Sequence, residues 1–308
     1  ALTTDGTGNA TVVNDAAIKF AASDVGGALS ATATAGHITQ SGRLDITGVT
    51  TIAADSGNNI TLTNTSNNFQ GAVKITSGND VRLVDAGAID LGASTVSGLY
   101  AVTATAGGDI TDSGVLAITG TSTFTVADGR SITLDESSTF SDTVTFAASA
   151  GTIASVEIND SNAFDLKTLT TTGNLTVIAG GNITDSGTVT VGGNLAATTD
   201  ANNGVIDLGT LAVDGTMALT THGTGAATVV NDVGLNFAVS TVGGALSATA
   251  TTGNVAQSGA LTITGVTTIA ADSGNNITLG NTSNNFQAAV RITSGNDVTL
   301  VDAGAIDL

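Results

Sequence analysis

Two histidines, His37 and His222, are the only imidazoles in the chain. Neither has a serine or carboxylate at a spacing that builds a catalytic triad or a metal site, so both read as surface substitutions. Cysteine is absent, which removes disulfides, thiolate nucleophiles and thiolate metal sites together. Seven Lys and Arg against 26 Asp and Glu give a formal net charge of −19. Such an excess keeps a long particle dispersed and can gather divalent cations. It leaves no basic footprint for nucleic acid. The carboxylates therefore hold whatever chemistry the chain has. Clustered with a Lys or Arg they could do acid–base work, and gathered at a turn they could bind calcium.

An internal copy tests the first idea. Residues 1–91 recur at 218–308 with about 18 differences. The exchanged positions include Asp5/His222, Lys19/Asn236, Asp24/Thr241, His37/Asn254, Arg43/Ala260, Asp45/Thr262 and Arg82/Thr299. Aliphatic positions keep their type. Side chains able to do chemistry are the ones replaced, as expected of a solvated face under no catalytic demand. No catalytic, cofactor-binding or metal-ligating residue is assigned on this basis, and the chain is not expected to be an enzyme. Acidic corners such as Asn79-Asp80 and Asn159-Asp160 offer oxygen ligands, but the G-G-x-G-x-D repeat of calcium-binding β-rolls is absent. Gly107-Gly108-Asp109 and Gly180-Gly181-Asn182 are its nearest fragments. Weak, diffuse calcium binding is the most these corners predict. Thr-x-Thr pairs (Thr32/Thr34, Thr61/Thr63, Thr103/Thr105) do not recur at one phase, so they read as ordinary outward strand residues rather than an ice-binding face.

The elements that position these residues follow from a twelve-residue phrase that occurs four times. It reads HITQSGRLDITG at His37–Gly48 and DITDSGVLAITG at Asp109–Gly120. It returns as NITDSGTVTVGG at Asn182–Gly193 and NVAQSGALTITG at Asn254–Gly265. An aliphatic residue (Ile38, Ile110, Ile183, Val255) is followed by Ser-Gly, then aliphatic–x–aliphatic, then Gly. Alternation puts one side of a strand inward, and the glycines mark turns or close approaches. The phrase returns about every 72 residues, and a fixed long period signals a stacked architecture. A longer period of 217 residues sits above it, giving one full copy at 1–217 and a partial one at 218–308. Within each short repeat the corners suggest about three coils of roughly 24 residues. Coil starts fall at Leu29, Ile52 and Val73, then Leu99, Phe124 and Val144, then Leu175, Leu195 and Met217.

Helix fits poorly, because β-branched residues and 40 glycines dominate and no i, i+3, i+4 stripe persists. Hydrophobic residues make up 41% of the chain but aromatics only 3%, and proline is absent. That composition predicts a thin aliphatic core. No apolar run is long enough for a membrane helix, so no membrane insertion is expected. The expected fold is all-β: one continuous right-handed parallel β-helix, or β-solenoid, over 1–308, with about 13 coils stacked at the strand spacing. The four phrase aliphatics are expected to point into its core. The start at Ala1 and the stop at Leu308 in mid-pattern predict a segment of a longer chain.

Gly-Asn-Ile-Thr and Asp-Ser-Gly phrases followed by Leu-x-Ile-x-Gly resemble the repeat regions of filamentous-haemagglutinin-like proteins. These are very large bacterial surface adhesins, many of them exported by two-partner secretion. The likeness covers essentially all of 1–308. It implies a right-handed β-helix and a secreted, extracellular or cell-surface location. The family's amino-terminal secretion domain, with its asparagine–proline motifs, has no counterpart in this proline-free chain. The expected function is a rigid adhesin stalk or fibre segment. The alternative is a self-assembling extracellular filament or sheath subunit. Expected partners are neighbouring solenoid repeats, copies of the chain end to end, and a host or neighbouring-cell surface.

Overall fold

The computed structural model describes residues 1–308, apart from the side chain of Asn202. The chain is an all-β parallel β-solenoid of about 14 turns. No helix occurs among the described residues. It forms two compact units, Ala1–Asn159 and Asp160–Leu308.

In the first unit a turn carries three short strands, one for each face, except where the nine-residue strand Ile132–Phe140 spans two faces. Ala10–Asn14, Leu29–Ala33, Thr50–Ala54 and Val73–Ser77 stack as the first face. The second is a seven-stranded parallel ladder that begins with Ile18–Phe20 and Ile38–Gln40 and ends with Val144–Ala148. Ser23–Val25, Leu44–Ile46 and Asn68–Phe69 begin the third. The second unit repeats the plan, with Ala227–Asn231, Leu246–Ala250 and Thr267–Ala271 stacked in register and Val290–Ser294 following with a shift after Ile269.

Strict alternation makes these strands. Leu29, Ala31 and Ala33 are buried while Ser30 and Thr32 face outward, and Thr50–Ala54 shows the same pattern. The β-branched residues suit a pleated, half-buried surface. Ile38 and Ile110 in the first unit, and Ile183 and Val255 in the second, are all 0% exposed, as expected. Four rings thicken the later turns of the first unit: Phe124 lies 6.0 Å from Tyr100, 6.1 Å from Phe140 and 6.2 Å from Phe146.

The Ser-Gly glycine of each phrase is required by contact rather than by backbone angle. A Cβ at Gly42 would strike the Ala22 backbone, and one at Gly114 would strike that of Ala93. In the second unit the obstructions are Thr168 for Gly187 and Val239 for Gly259. At this corner the backbone of one turn lies directly on that of the turn before.

The short repeat is not a whole number of turns. Stacked positions are 19 residues apart at Ala10↔Leu29, 21 at Leu29↔Thr50 and 23 at Thr50↔Val73. These turns are shorter than the expected 24, because each corner closes on two to five residues. From Leu29–Ala33 to its counterpart Tyr100–Ala104 the chain makes ten strands. At three strands per turn that is three turns and a third. The column that starts at Ile38 accordingly runs through Ile60 and Val81 to Tyr100, on the strand before the next phrase. In the second unit Ile183 leads through Ile206 and Ala227 to Leu246 in the same way. Successive phrases therefore occupy different faces within each unit and do not stack on each other. Of the expected coil starts, Leu175, Leu195 and Met217 are a true stack. Leu29 and Val73 instead pair with Thr50 rather than Ile52, and Val144 pairs with Ser122 rather than Phe124. From the first set to the second the chain advances a further third of a turn. Three such advances of three turns and a third would sum to ten turns, and three short repeats are the 217-residue long period.

Two substitutions probe this packing. Ile110→Ala should destabilise by about 2–4 kcal/mol, as for other buried aliphatics. Gly114→Ala should cost about 1–3 kcal/mol by forcing the turns apart. Urea unfolding followed by circular dichroism reads both; an unchanged midpoint for Gly114→Ala would refute the backbone contact.

Candidate functional site

The residues singled out by their chemistry do not converge. His37 lies in the first unit and His222 in the second, both exposed. Arg43 pairs with Asp45 at 2.8 Å, and Asp45 also accepts from Asn68 at 2.9 Å. The loss of both charges in the other copy, as Ala260 and Thr262, removes one ion pair as a unit. Arg82 lies 3.9 Å from Asp80. Lys19 and Asp24 stand exposed on different faces. Among the described residues no group of three or more His, Asp or Glu side chains is placed to hold a metal ion. A shallow groove of about 250 Å³ in the second unit is lined by Thr188, Thr210, Asp232 and Thr251 among others.

What the phrase residues do is bind the next turn. The first position is His37, Asp109, Asn182 or Asn254. His37 Nδ1 accepts the Asn59 N–H at 2.9 Å, and Asp109 Oδ1 accepts that of Ser131 at 2.9 Å. Asn182 Oδ1 accepts from Val205 at 3.0 Å and Asn254 Oδ1 from Asn276 at 2.7 Å. Three residue types thus perform one task, the capture of a backbone donor one turn on. The His37/Asn254 exchange therefore preserves an acceptor, where the sequence suggested a free solvated position. His37 must then carry its proton on Nε2. Corner oxygens considered for calcium are similarly engaged. Asp80 Oδ1 accepts from Leu99 N–H at 3.1 Å, and Asp160 Oδ1 accepts from Asn162 N–H at 3.1 Å.

The fourth position is the centre of a corner clasp. Gln40 donates to the Gly42 carbonyl at 2.7 Å and to Asn67 Oδ1 at 2.8 Å, and accepts from Asn67 Nδ2 at 3.0 Å. Asn67 is fully buried. It accepts the Leu44 N–H at 3.0 Å and donates to the Val84 carbonyl at 3.0 Å, so that three successive turns are tied by two amides. Gln257 and Asn284 rebuild the clasp in the second unit with the same partners, Gly259, Leu261 and Val301. Asp85 completes the first clasp by accepting from Phe69 and Gly87, each at 2.6 Å. Burial raises its carboxyl above the usual range, against the pull of those two N–H donors.

The other two phrases carry Asp at this position, and the partner changes with it. Asp185 accepts from Gly209 N–H, Thr210 N–H and the Thr210 hydroxyl at 2.8, 2.8 and 2.7 Å. Beside Asp112 the buried Ser138 takes the place of Asn67, its hydroxyl accepting the Leu116 N–H at 2.9 Å. Gln bonds Asn and Asp185 bonds Thr210, while Asp112 accepts from the Asp135 N–H and Ser138 beside it bonds the Leu116 N–H. These partners lie in the next turn, a separation that hid the pairing from a reading of the phrase alone.

The pairing predicts non-additive substitutions. Asn67→Ser alone should cost about 1–3 kcal/mol by leaving Gln40 and the Val84 carbonyl unsatisfied. Adding Gln40→Asp should recover part of that loss, and a double-mutant cycle in urea would measure the coupling. Strictly additive effects would refute the clasp.

No curated protein sequence and no solved structure matches the chain. A family model described as repeats of unknown function (DUF5649) matches it four times, at residues 7–76, 78–147, 153–209 and 224–293. Three of the matches span roughly one short repeat each, and the third along the chain stops at residue 209, one short of Thr210, the partner of Asp185. The matches together cover well over half of the sequence, and the chain belongs to this family of repeats.

Proposed function

We propose that the chain is a structural repeat segment of a large secreted bacterial surface protein, serving as a rigid stalk and containing no reaction centre. The observation that carries this reading is the fate of the recurring positions. Those retained between repeats bind one turn to the next through core packing, close glycine contacts, corner acceptors or the fourth-position clasp. Those that vary, such as Asp5/His222 and Asp24/Thr241, stand on the surface. A fold of this kind spreads its role along its length. The likeness of the phrases to filamentous-haemagglutinin-like repeat regions supports placement at the cell surface, with a host or neighbouring cell as the far partner.

A filament or sheath subunit is the second reading, and one surface feature favours it. In the first unit the second face presents Lys19, Thr39, Thr61, Arg82, Thr103, Thr123 and Thr145 outward and no carboxylate. In a chain of charge −19, that face is the one where another copy could lie alongside with least repulsion.

Electron microscopy of the native protein separates the readings, since a stalk gives isolated rods and a subunit gives continuous fibres. Deleting one 217-residue repeat removes ten turns and should shorten the particle by roughly 48 Å at the strand spacing. Attachment or fibre formation should survive. Polysaccharide turnover by the purified repeat, abolished by a single Asp substitution, would overturn the structural reading altogether.

A further inference from the structure

We propose that the Asp112 position is a proton-operated latch. Protonated, it closes on the next turn as Gln40 and Gln257 do; ionised, it holds that turn less tightly.

Comparison of the four occupants of the position carries the inference. Gln40 and Gln257 are neutral amides that both donate and accept. Asp185 is a carboxylate whose oxygens accept three hydrogen bonds. Asp112 is satisfied in neither way. Its Oδ1 accepts the Asp135 N–H at 3.0 Å, with the Glu136 N–H at 3.5 Å. Its Oδ2 is buried and has no hydrogen-bond partner, and the residue is only 8% exposed. A buried carboxylate oxygen without a donor is costly, whereas a buried carboxylic acid can donate. The acceptor placed to take that proton is the Asp135 carboxylate on the next turn, whose side chain lies within hydrogen-bond reach of the Asp112 carboxyl.

The titratable groups around Asp112 reinforce this. Asp135 and Glu136 come from the next turn and are exposed. Asp90, from the previous turn, has a buried Oδ1 that lacks a partner. The Tyr100 hydroxyl is fully buried, which keeps it protonated. Among the described residues no Lys or Arg forms an ion pair with any of these carboxylates. Desolvation, with the like charge of Asp135, pushes the Asp112 carboxyl up to about 7. The folded state therefore holds this proton more tightly than the unfolded chain does. The contribution to stability is complete below the ordinary carboxylate value of 3.8 and is lost as pH rises through about 7. The latch is independent of whether the array is a stalk or a filament.

Carboxyl carbon NMR of the full chain, with Asp112 assigned by its loss in Asp112→Asn, should show titration near neutrality. Within the window between the two values, the unfolding equilibrium constant attributable to this group should rise by roughly tenfold per pH unit. Asp112→Asn should remove that slope and be more stable than the wild type at pH 8. Asp85, whose carboxyl is also raised, keeps its own slope in both proteins and cancels in the comparison. Should Asp112→Asn fail to fold, Asp112→Gln with Ser138→Asn installs the pair that two other repeats already use. A carboxyl that titrates below pH 5, or an unchanged slope in the folded variant, overturns the latch.

Discussion

Each turn of this solenoid has to meet the backbone donors and acceptors of the next at one fixed spacing, and everything else is arranged around that demand. Between corners the strand ladders satisfy it automatically. At corners the chain leaves the ladder, and buried backbone groups there need other partners. The recurring phrase is the solution. Its first residue accepts an N–H from the next turn, its fourth ties two or three turns together, and its glycines let backbones touch where a Cβ would hold them apart. The aliphatic positions fill the interior between these fixed points, and a core of Ile, Val, Leu and Ala suffices because the stack is only one strand layer thick on each side.

Charge follows the same division. Inward positions are apolar or bonded, apart from Asp112 and the buried hydroxyls of Thr50, Tyr100, Ser122 and Thr267. Carboxylates gather at corners and on the third face of the first unit, where Asp24 and Asp45 are direct neighbours in the ladder. Arg43 and Asn68 offset the repulsion there. The copy that lacks these acids also lacks Arg43's counterpart, so the ion pair and its cost disappear together. The surface can therefore change in coordinated steps while the stack beneath it stays the same.

Much of the fold was legible in the sequence because alternation and glycine placement are local. The inward slots of Ile38, Ile110, Ile183 and Val255, the lack of helix and the number of turns all follow from patterns a few residues long. The rotation of the phrase between faces was not legible. A sequence period reports how much chain intervenes, and the angle it subtends depends on how tightly each corner closes. The role of His37 was hidden for a different reason. Histidine and asparagine look unrelated as side chains, yet each can place an acceptor at the same point. The strain at Asp112 was hidden too, since whether its two oxygens are satisfied depends on residues a full turn away.

The third-of-a-turn remainder has a genetic consequence. Tandem repeats lengthen and shorten by unequal recombination, and each short repeat offers a point where misaligned copies can exchange. Gain or loss of a single short repeat would turn everything downstream by a third of a revolution and present a different side to the surroundings. Gain or loss of three leaves the orientation of every later face as it was. Selection for a constant outward side would thus favour duplication in threes, and the 217-residue copy with its few differences is the kind of record such duplication leaves.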